Sequence, residues 1–313
     1  MMESHVPPTE RARFAVAGAR ANVAAVLGNQ PRGDVVRNNA FAGLLLLSIL
    51  IALAGLLALL IQAGAQGASA IGPNLLTEPP STIDTANAGF RPALIGSVMM
   101  IAFVIALIVP LGVGAAIYLE EYADETRWWN RVVELNIQNL AAVPSIIYGI
   151  LGLGLIVRGP IDLGFVLLAG AITLALLVLP IVIIAGREAI RAVPPSIREG
   201  SLALGATQWQ TIRRQVLPAA IPGVATGVIL AVSRALGETA PLLLVGATVF
   251  VTFDPSPLEG GYSGLPVQIF QYATRPQEEF QTVAAAGIML MLVVLVAMNS
   301  VAIWLRNRYE QKW

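Results

Sequence analysis

The stretch REGSLALGATQWQTIRRQVLP, residues 198–218, is a polar segment between two long apolar runs. Ser196 followed by Glu199 fits a capping box, in which the two side chains satisfy backbone amides at a helix start, and Thr207 followed by Gln210 repeats the pattern. Gly205 lies between them, where a helix end commonly needs a left-handed residue. The spacing predicts two short helices joined by a bend, in a loop that serves for docking.

This segment resembles the EAA loop of ABC importer permeases, which docks on the ATPase subunit. The departures are Gly200 and Ser201, where that family usually has alanines, and Gln215, where it usually has an aliphatic residue. The residues alone also allow Glu199 to be only a cap and Gly205 only a turn. The resemblance implies an ATPase-coupling loop that contains Glu199, Gly200, Ser201, Leu204, Gly205, Arg213, Leu217 and Pro218.

The composition indicates an all-α polytopic membrane protein. Hydrophobic residues make up 56% of the 313 residues, charged residues only 12%, and the mean hydropathy of +0.74 is too high for a soluble domain of this length. Apolar runs long enough to cross a bilayer predict six transmembrane helices. Their expected bounds are Ala40–Gln62, Ala93–Tyr118, Ile137–Val157, Leu163–Gly186, Ala219–Phe250 and Thr282–Leu305. Pro110, Pro144, Pro180 and Pro241 fall within or at the ends of these spans, as kinks beside a pathway or as packing features.

Several chemistries are excluded by residues that the chain lacks. It has no cysteine, and its single histidine, His5, precedes the first span. The single lysine, Lys312, stands near the carboxyl end, so no phosphate-binding G-x-x-x-x-G-K-[ST] loop exists and ATP hydrolysis belongs to another subunit. We therefore expect no catalytic residue, no metal site, no cofactor and no nucleic acid partner.

The cationic residues predict the orientation. With the amino terminus in the cytoplasm, fifteen of the nineteen Lys and Arg residues lie inside, whereas the opposite side holds only Arg91, Arg158 and Arg275. Six spans then leave both termini in the cytoplasm of a plasma (inner) membrane protein. The predicted segments are a cytoplasmic amino-terminal segment (1–39), a first span retained as an anchor (40–63), an extracytoplasmic loop (64–92), a permease core (93–305) with its loop at 187–218, and a cytoplasmic tail (306–313). Residues 10–27 of the first segment are either an amphipathic surface helix or part of a disordered tail.

Arg234 and Glu238 are the one charged pair predicted inside the apolar region. Their spacing of four residues places both on one face of a regular helix, near the middle of the fifth span. An arginine there costs about 2.5–3.5 kcal/mol on insertion scales, and such residues usually face a wet cavity or a substrate path. Guanidinium matches the oxygens of an oxyanion, and a nearby carboxylate would keep the binding weak enough for release.

Neutral donors could complete such a path. Thr239, Ser145 and Tyr148 are the candidate path residues beside the charged pair, and Ser233 is a further donor on the fifth span. The alternative is structural: Arg234 and Glu238 neutralise each other, and the hydroxyl groups form ordinary helix–helix hydrogen bonds.

The core sequence resembles the PstA-type permease of phosphate ABC importers. The segments that carry the resemblance are YLEEYA (118–123), NLAAVPSIIYGILGL (139–153), LALLVLPIVI (174–183), AVPPSIREGSLALGATQWQTIRRQVLPAAIPG (192–223) and SRALGETAPLLLVG (233–246). The resemblance implies a type I importer permease that pairs with a second, related permease, two ATP-binding subunits and an extracytoplasmic phosphate-binding protein. It also implies that Arg234 and Glu238 lie on the route of inorganic phosphate.

Other functions stay open at this stage. The sister PstC-type permease shares the loop and the charged pair, although the GETAPLLL continuation favours the PstA type, and permeases for other oxyanions are a second alternative. A phosphate-sensing or scaffold subunit is an alternative of another class. A membrane-embedded enzyme would need a nucleophile, a metal or paired carboxylates within the spans, and we find no such set.

Overall fold

The computed structural model describes residues 32–85, 87–124, 126–247 and 250–309, so the prediction for residues 10–27 lies outside the described residues. The described chain is almost entirely helical. The helices are α1 (Arg32–Gly67), α2 (Asn74–Thr77), α3 (Arg91–Ile117), α4 (Trp128–Ala142), α5 (Ser145–Leu151), α6 (Leu167–Arg191), α7 (Pro195–Ala203), α8 (Gln208–Thr211), α9 (Leu217–Gly237), α10 (Ala240–Leu244), α11 (Leu265–Ala273) and α12 (Glu278–Tyr309). A short 3₁₀ turn covers Ala68–Ala70, and π-helical segments cover Tyr118–Tyr122, Gly152–Val157 and Ile212–Val216. The described residues divide into two compact units, with the boundary between Gln62 and Ala63.

Five continuous helical stretches among the described residues are long and apolar enough to cross a membrane. They contain α1, α3, α6, the continuous α8–α9 rod, and α12. A sixth crossing exists only if α4 and α5 count together as one span, and these two helices are bent by 106°. The expected class, a helical polytopic membrane protein, is confirmed.

Two of the predicted spans are wrong as single helices. The third, expected over Ile137–Val157, is interrupted at Val143 and Pro144, because a proline disfavours helical backbone in the residue before it. The fifth, expected over Ala219–Phe250, ends at Gly237, and α10 follows as a separate short helix with Pro241 in its first turn. Both segments are apolar on average, so hydropathy alone did not reveal either break.

Helix α6 is the centre of the second unit. About two thirds of its most apolar stretch is buried, and it packs against α3 on one side and α9 on another. Small residues allow the close approach of α9, since a Cβ atom at Gly227 would collide with the methyl group of Ala185. The core around α6 therefore holds α9, whose end begins the candidate site.

An aromatic cluster closes one end of the second unit. Phe90, at the start of α3, meets the Tyr272 ring edge-on with 5.4 Å between centroids, and Tyr272 stacks on Phe280 of α12 at 5.7 Å. The Tyr272 hydroxyl also accepts a hydrogen bond from the Ser81 amide at 3.2 Å. The segment predicted as an extracytoplasmic loop, residues 64–92, thus forms one packed cluster with residues 272–280.

Candidate transport site and coupling loop

Two helix breaks meet at the candidate transport site. After α9 ends, Glu238 takes an extended conformation (φ −77°, ψ 125°), and the chain then enters α10. Helix α5, which begins just after the other break, lies directly on α10: a Cβ atom at Gly149 would be 2.7 Å from the Pro241 Cα. The backbone ends created by the two breaks are therefore neighbours.

Arg234 and Glu238 contact each other, with 3.2 Å between Arg234 Nε and Glu238 Oε1. The expectation that both lie on one face in the middle of a helix is wrong, because Arg234 belongs to the last turn of α9 and Glu238 lies beyond its end. A cation in the last turn is favoured by the negative end of the helix dipole. The Arg234 side chain is 39% exposed and that of Glu238 17%, so the guanidinium keeps an open side.

Tyr148 lies on the helix that packs beside this pair. Its buried side chain donates a hydrogen bond from the hydroxyl to the Leu140 carbonyl at 2.9 Å, which bridges the bend between α4 and α5. The next residue, Gly149, packs against Pro241 of α10, three residues after Glu238. The structure thus places Tyr148 on the element that adjoins Arg234 and Glu238.

The other predicted path residues occupy different positions. Thr239 directly follows Glu238 and is half-buried, as is Ser145 at the first position of α5, one turn before Tyr148. Ser233 points elsewhere: its hydroxyl lies 2.8 Å from the Ile229 carbonyl and 2.7 Å from Asn299 Oδ1 on α12. Ser233 therefore links α9 to α12, as the structural alternative expected.

The coupling loop confirms the predicted bend and one of the two predicted caps. Gly205 has φ +85°, its amide donates to the Leu202 carbonyl at 2.9 Å, and the Ala206 amide donates to the Ser201 carbonyl at 3.3 Å. This is the Schellman arrangement that ends α7. The capping box of Thr207 and Gln210 is present at the start of α8.

Two expectations for this loop are wrong. Helix α7 begins at Pro195 after Pro194 and has no side-chain cap, so Ser196 and Glu199 form no capping box. Proline needs no cap partner at the first helical position, because it lacks the amide hydrogen. The second short helix, α8, is the start of a rod that continues through a π-helical turn into α9.

The loop presents an apolar edge to its surroundings. Leu204 is 90% exposed at the bend, and Leu202 and Trp209 are about half exposed on either side of it. Ser201 and Thr211 hydroxyl groups lie 2.9 Å apart and hold α7 against the rod. The remaining predicted coupling residues fall into two groups: Glu199, Gly200 and Arg213 are exposed, whereas Leu217 and Pro218 are half-buried.

A cluster of ion pairs that was not predicted from the sequence lies beside this loop. Glu120, in the π-helical end of the α3 span, binds Arg191 through both carboxylate oxygens, at 2.9 and 3.0 Å, and Arg187 at 3.4 Å. Arg187 also contacts Glu134 of α4 at 2.8 Å. The signal was present, because an acidic pair follows one apolar run and two arginines four residues apart close another.

The neighbouring Glu121 has a different partner. Arg198 of α7 contacts Glu121 Oε1 through two nitrogens at 3.0 and 2.8 Å. We call the set of these side chains, Glu120, Glu121, Glu134, Arg187, Arg191 and Arg198, the ion-pair cluster. The set contains three acids and three arginines, and the exposed Glu188 lies at its edge, 3.8 Å from Arg191.

Together, a helical membrane bundle, a site at two broken helices and an exposed apolar loop define a membrane-embedded permease. The chain belongs to the family described as binding-protein-dependent transport system inner membrane component, whose profile matches residues 108–311. Its resemblance to PstA-type permeases is confirmed by similarity to curated relatives.

Two relatives and one solved structure illustrate this similarity. The phosphate transport system permease protein PstA of Haemophilus influenzae is 35% identical over 84% of this chain and 91% of its own length. The protein of the same name from Yersinia pestis is 35% identical over 76% of this chain and 79% of its own. A chain of a bacterial alginate ABC transporter superposes with a TM-score of 0.60 at 15% identity, covering 86% of this chain and 94% of that one, which shows the shared fold.

Proposed function

We propose that this chain is a permease subunit of an ATP-driven importer of inorganic phosphate, with Arg234 at the phosphate path. The observation that carries the proposal is the partly exposed Arg234–Glu238 pair at the junction of two broken helices. The chain is also 35% identical to proteins named as phosphate permeases. Broken helices beside a path offer backbone groups as well as side chains to a passing ion.

The charges of the pair suit an anion that must be released again. Arg234 supplies a planar set of donors that fits phosphate oxygens. Glu238 contacts only one nitrogen of that set, Nε, and its negative charge weakens the attraction for an anion. A protonated phosphate oxygen can also donate a hydrogen bond to a carboxylate, which fully ionised sulfate cannot do. The pair therefore favours hydrogen phosphate over sulfate.

Tyr148, Thr239 and Ser145 would serve as neutral polar groups along the same path. The Tyr148 hydroxyl donates a hydrogen bond to the Leu140 carbonyl, which holds the bend in place. The oxygen of this hydroxyl can still accept a hydrogen bond. Thr239 and Ser145 are half-buried at the two breaks and have hydroxyl groups that can donate to phosphate oxygens.

The partners follow from the same proposal. The apolar edge formed by Leu202, Leu204 and Trp209 would dock on one of two ATP-binding subunits, and a second, related permease would form the other half of the path. An extracytoplasmic phosphate-binding protein would deliver the anion. The distribution of arginines supports a cytoplasmic position for the coupling loop and both termini, in a plasma (inner) membrane.

Phosphate uptake by cells that lack their own high-affinity system tests the proposal. The chain is expressed with its genomic partners, and the Arg234→Ala variant is compared with wild type and with Arg158→Ala. Arg158 is the matched control, because its guanidinium lies over the Phe165 ring at 5.2 Å, away from the pair. We expect uptake to fall at least about tenfold for Arg234→Ala alone, with assembly of the complex retained in all three.

A double variant separates the path from packing. If the pair only neutralises itself, Arg234→Met with Glu238→Leu should keep transport, since a buried ion pair can often be replaced by apolar residues of similar volume. Retained uptake in that variant would contradict the proposed role of the pair. An assembled wild-type complex that transports no phosphate would instead shift the substrate to another oxyanion or the function to sensing.

A further inference from the structure

The two adjacent glutamates of the ion-pair cluster bind different parts of the molecule. The Glu120 carboxylate contacts Arg187 and Arg191, both in the last two turns of α6. The Glu121 carboxylate instead contacts Arg198, which lies in the coupling loop. One carboxylate therefore joins two membrane helices, and its neighbour joins a membrane helix to the loop.

Arg198 donates hydrogen bonds to three residues, Glu121, Val193 and Ile190. Besides its two contacts with Glu121, its Nη1 donates to the Val193 carbonyl at 2.6 Å and its Nη2 to the Ile190 carbonyl at 2.8 Å. These carbonyls belong to the end of α6 and the residues just after it, where helix carbonyls lack partners within the helix. Arg198 thus connects α7 to α6 and, through Glu121, to the end of the α3 span.

The loop is attached to Glu121 on both sides of its bend. On the α8 side, the Gln208 side-chain amide donates to the Glu121 backbone carbonyl at 2.6 Å. On the α7 side, Arg198 binds the Glu121 carboxylate. Because Gly205 lies between these two attachments, Glu121 holds the loop as one piece against the π-helical end of the α3 span.

We infer that Glu121 is a positioning residue for transport, through which a displacement of the coupling loop is passed to α3. This inference rests on the proposed function, because it presumes a partner that moves the loop. The covalent chain alone passes that movement only to α6 and to the α8–α9 rod, which flank the loop in sequence. The contacts of Glu121 extend it to α3, the third helix of the core around α6. Its side chain is only 10% exposed and that of Arg198 22%, so solvent and salt screen the contact weakly.

Two measurements on the purified, vesicle-reconstituted complex test the inference. The first is the amount of phosphate transported per ATP hydrolysed, for wild type and Glu121→Gln. We expect this ratio to fall roughly tenfold, within the usual range of coupling between sites, while ATP hydrolysis changes less than about twofold. Asp124→Asn is the matched control: Asp124 is exposed three residues further on, and its carboxylate contacts only Thr126 and Arg127 in the described structure.

The second measurement does not depend on the transported anion. Because the chain has no cysteine, Tyr122→Cys and Ser196→Cys provide the only two labelling sites in it, and both residues are exposed. Spin labels at these positions report the distance between the end of the α3 span and α7. We expect one narrow distance distribution with and without ATP in the otherwise unmodified chain, and a broad or ATP-dependent distribution with Glu121→Gln. A complex that transports no phosphate, yet shows this difference in distance distribution between wild type and Glu121→Gln, would contradict phosphate as the substrate and support the role of Glu121.

Two results would overturn the inference. One is an unchanged distance distribution in Glu121→Gln. The other is recovery of the transport ratio when Glu121→Gln is combined with Arg198→Gln, because a purely structural pair can be replaced without loss of function. If Glu121→Gln fails to assemble, Gln208→Ala serves in its place, since it removes only the exposed attachment on the α8 side, and it should lower the ratio in the same direction.

Discussion

The two ends of the second unit are held together by different chemistry. At one end, Phe90, Tyr272 and Phe280 pack ring against ring in a largely apolar cluster. At the other end, beside the coupling loop, Glu120 and Glu121 hold three arginines through directed, charged hydrogen bonds. Both clusters join residues far apart in sequence, so both fix the arrangement of helices.

The contrast teaches what each end is suited to do. Close-packed rings lose contact energy in every direction of movement, so an aromatic cluster holds one arrangement. Guanidinium and carboxylate groups can exchange partners over short distances, and an ion-pair interface can therefore have two arrangements. Under the proposed function, the end that docks on a partner is the end built from ion pairs.

The largest effect on stability is expected at the aromatic end, for Phe90→Ala. Phe90 is fully buried and touches Tyr272, and its ring also fills the space beside Gly287 of α12. Removing the ring leaves a cavity and should cost about 3–5 kcal/mol. Thermal unfolding of the purified complex in detergent measures this, with Phe253→Ala, an exposed ring, as control. A loss as small as that of the control would show that this cluster does not fix the fold.

A smaller and salt-dependent effect is expected at the charged end, for Glu120→Gln. The variant leaves Arg187 with Glu134 as its partner but removes the bidentate contact of Arg191, which is half exposed. The loss in the free energy of unfolding should be about 2 kcal/mol, which lies between the values for buried and for exposed ion pairs. At about 1 M salt the difference from wild type should shrink, whereas the Phe90→Ala difference should not. A salt-independent loss would contradict the electrostatic account of this end.

The sequence was sufficient for features that depend on local chemistry. The left-handed Gly205 and the Thr207–Gln210 capping box involve residues within four positions of each other, and both are present. The apolar runs likewise indicate membrane helices, because a segment that crosses a bilayer must satisfy its backbone hydrogen bonds internally. The Ser196 cap failed for an equally local reason, since Pro194 and Pro195 start α7 earlier.

The features that the sequence did not reveal depend on contacts between distant segments. Glu120 and Arg191 are 71 residues apart, and Glu121 and Arg198 are 77 apart, so no spacing rule links them. The end of α9 at Gly237 carries no local signal that hydropathy detects, and the neighbourhood of this end and Gly149 of α5 depends on packing between distant segments. Arg234 and Glu238 were found as a pair, but their position at a helix end required the fold.

The smallest effect that separates the two ends is expected for Tyr272→Phe at alkaline pH. The variant removes the acceptor for the Ser81 amide and should cost about 1 kcal/mol near pH 8. Burial raises the pKa of the Tyr272 hydroxyl from 10.0 to about 12. The folded state therefore disfavours the ionised form, and wild type loses stability as the pH rises above about 10 and through about 12, at roughly 1.4 kcal/mol per pH unit.

Phenylalanine does not ionise, so the variant is spared this loss. The stabilities of wild type and Tyr272→Phe should therefore become equal at about pH 10.7, where the ionisation cost reaches about 1 kcal/mol and matches the lost hydrogen bond. Chemical unfolding of both proteins between about pH 8 and 11.5 measures the crossing. Glu120→Gln, measured over the same range, is the comparison at the charged end. Parallel curves for wild type and Tyr272→Phe would mean that Tyr272 is more accessible to water than its packing indicates.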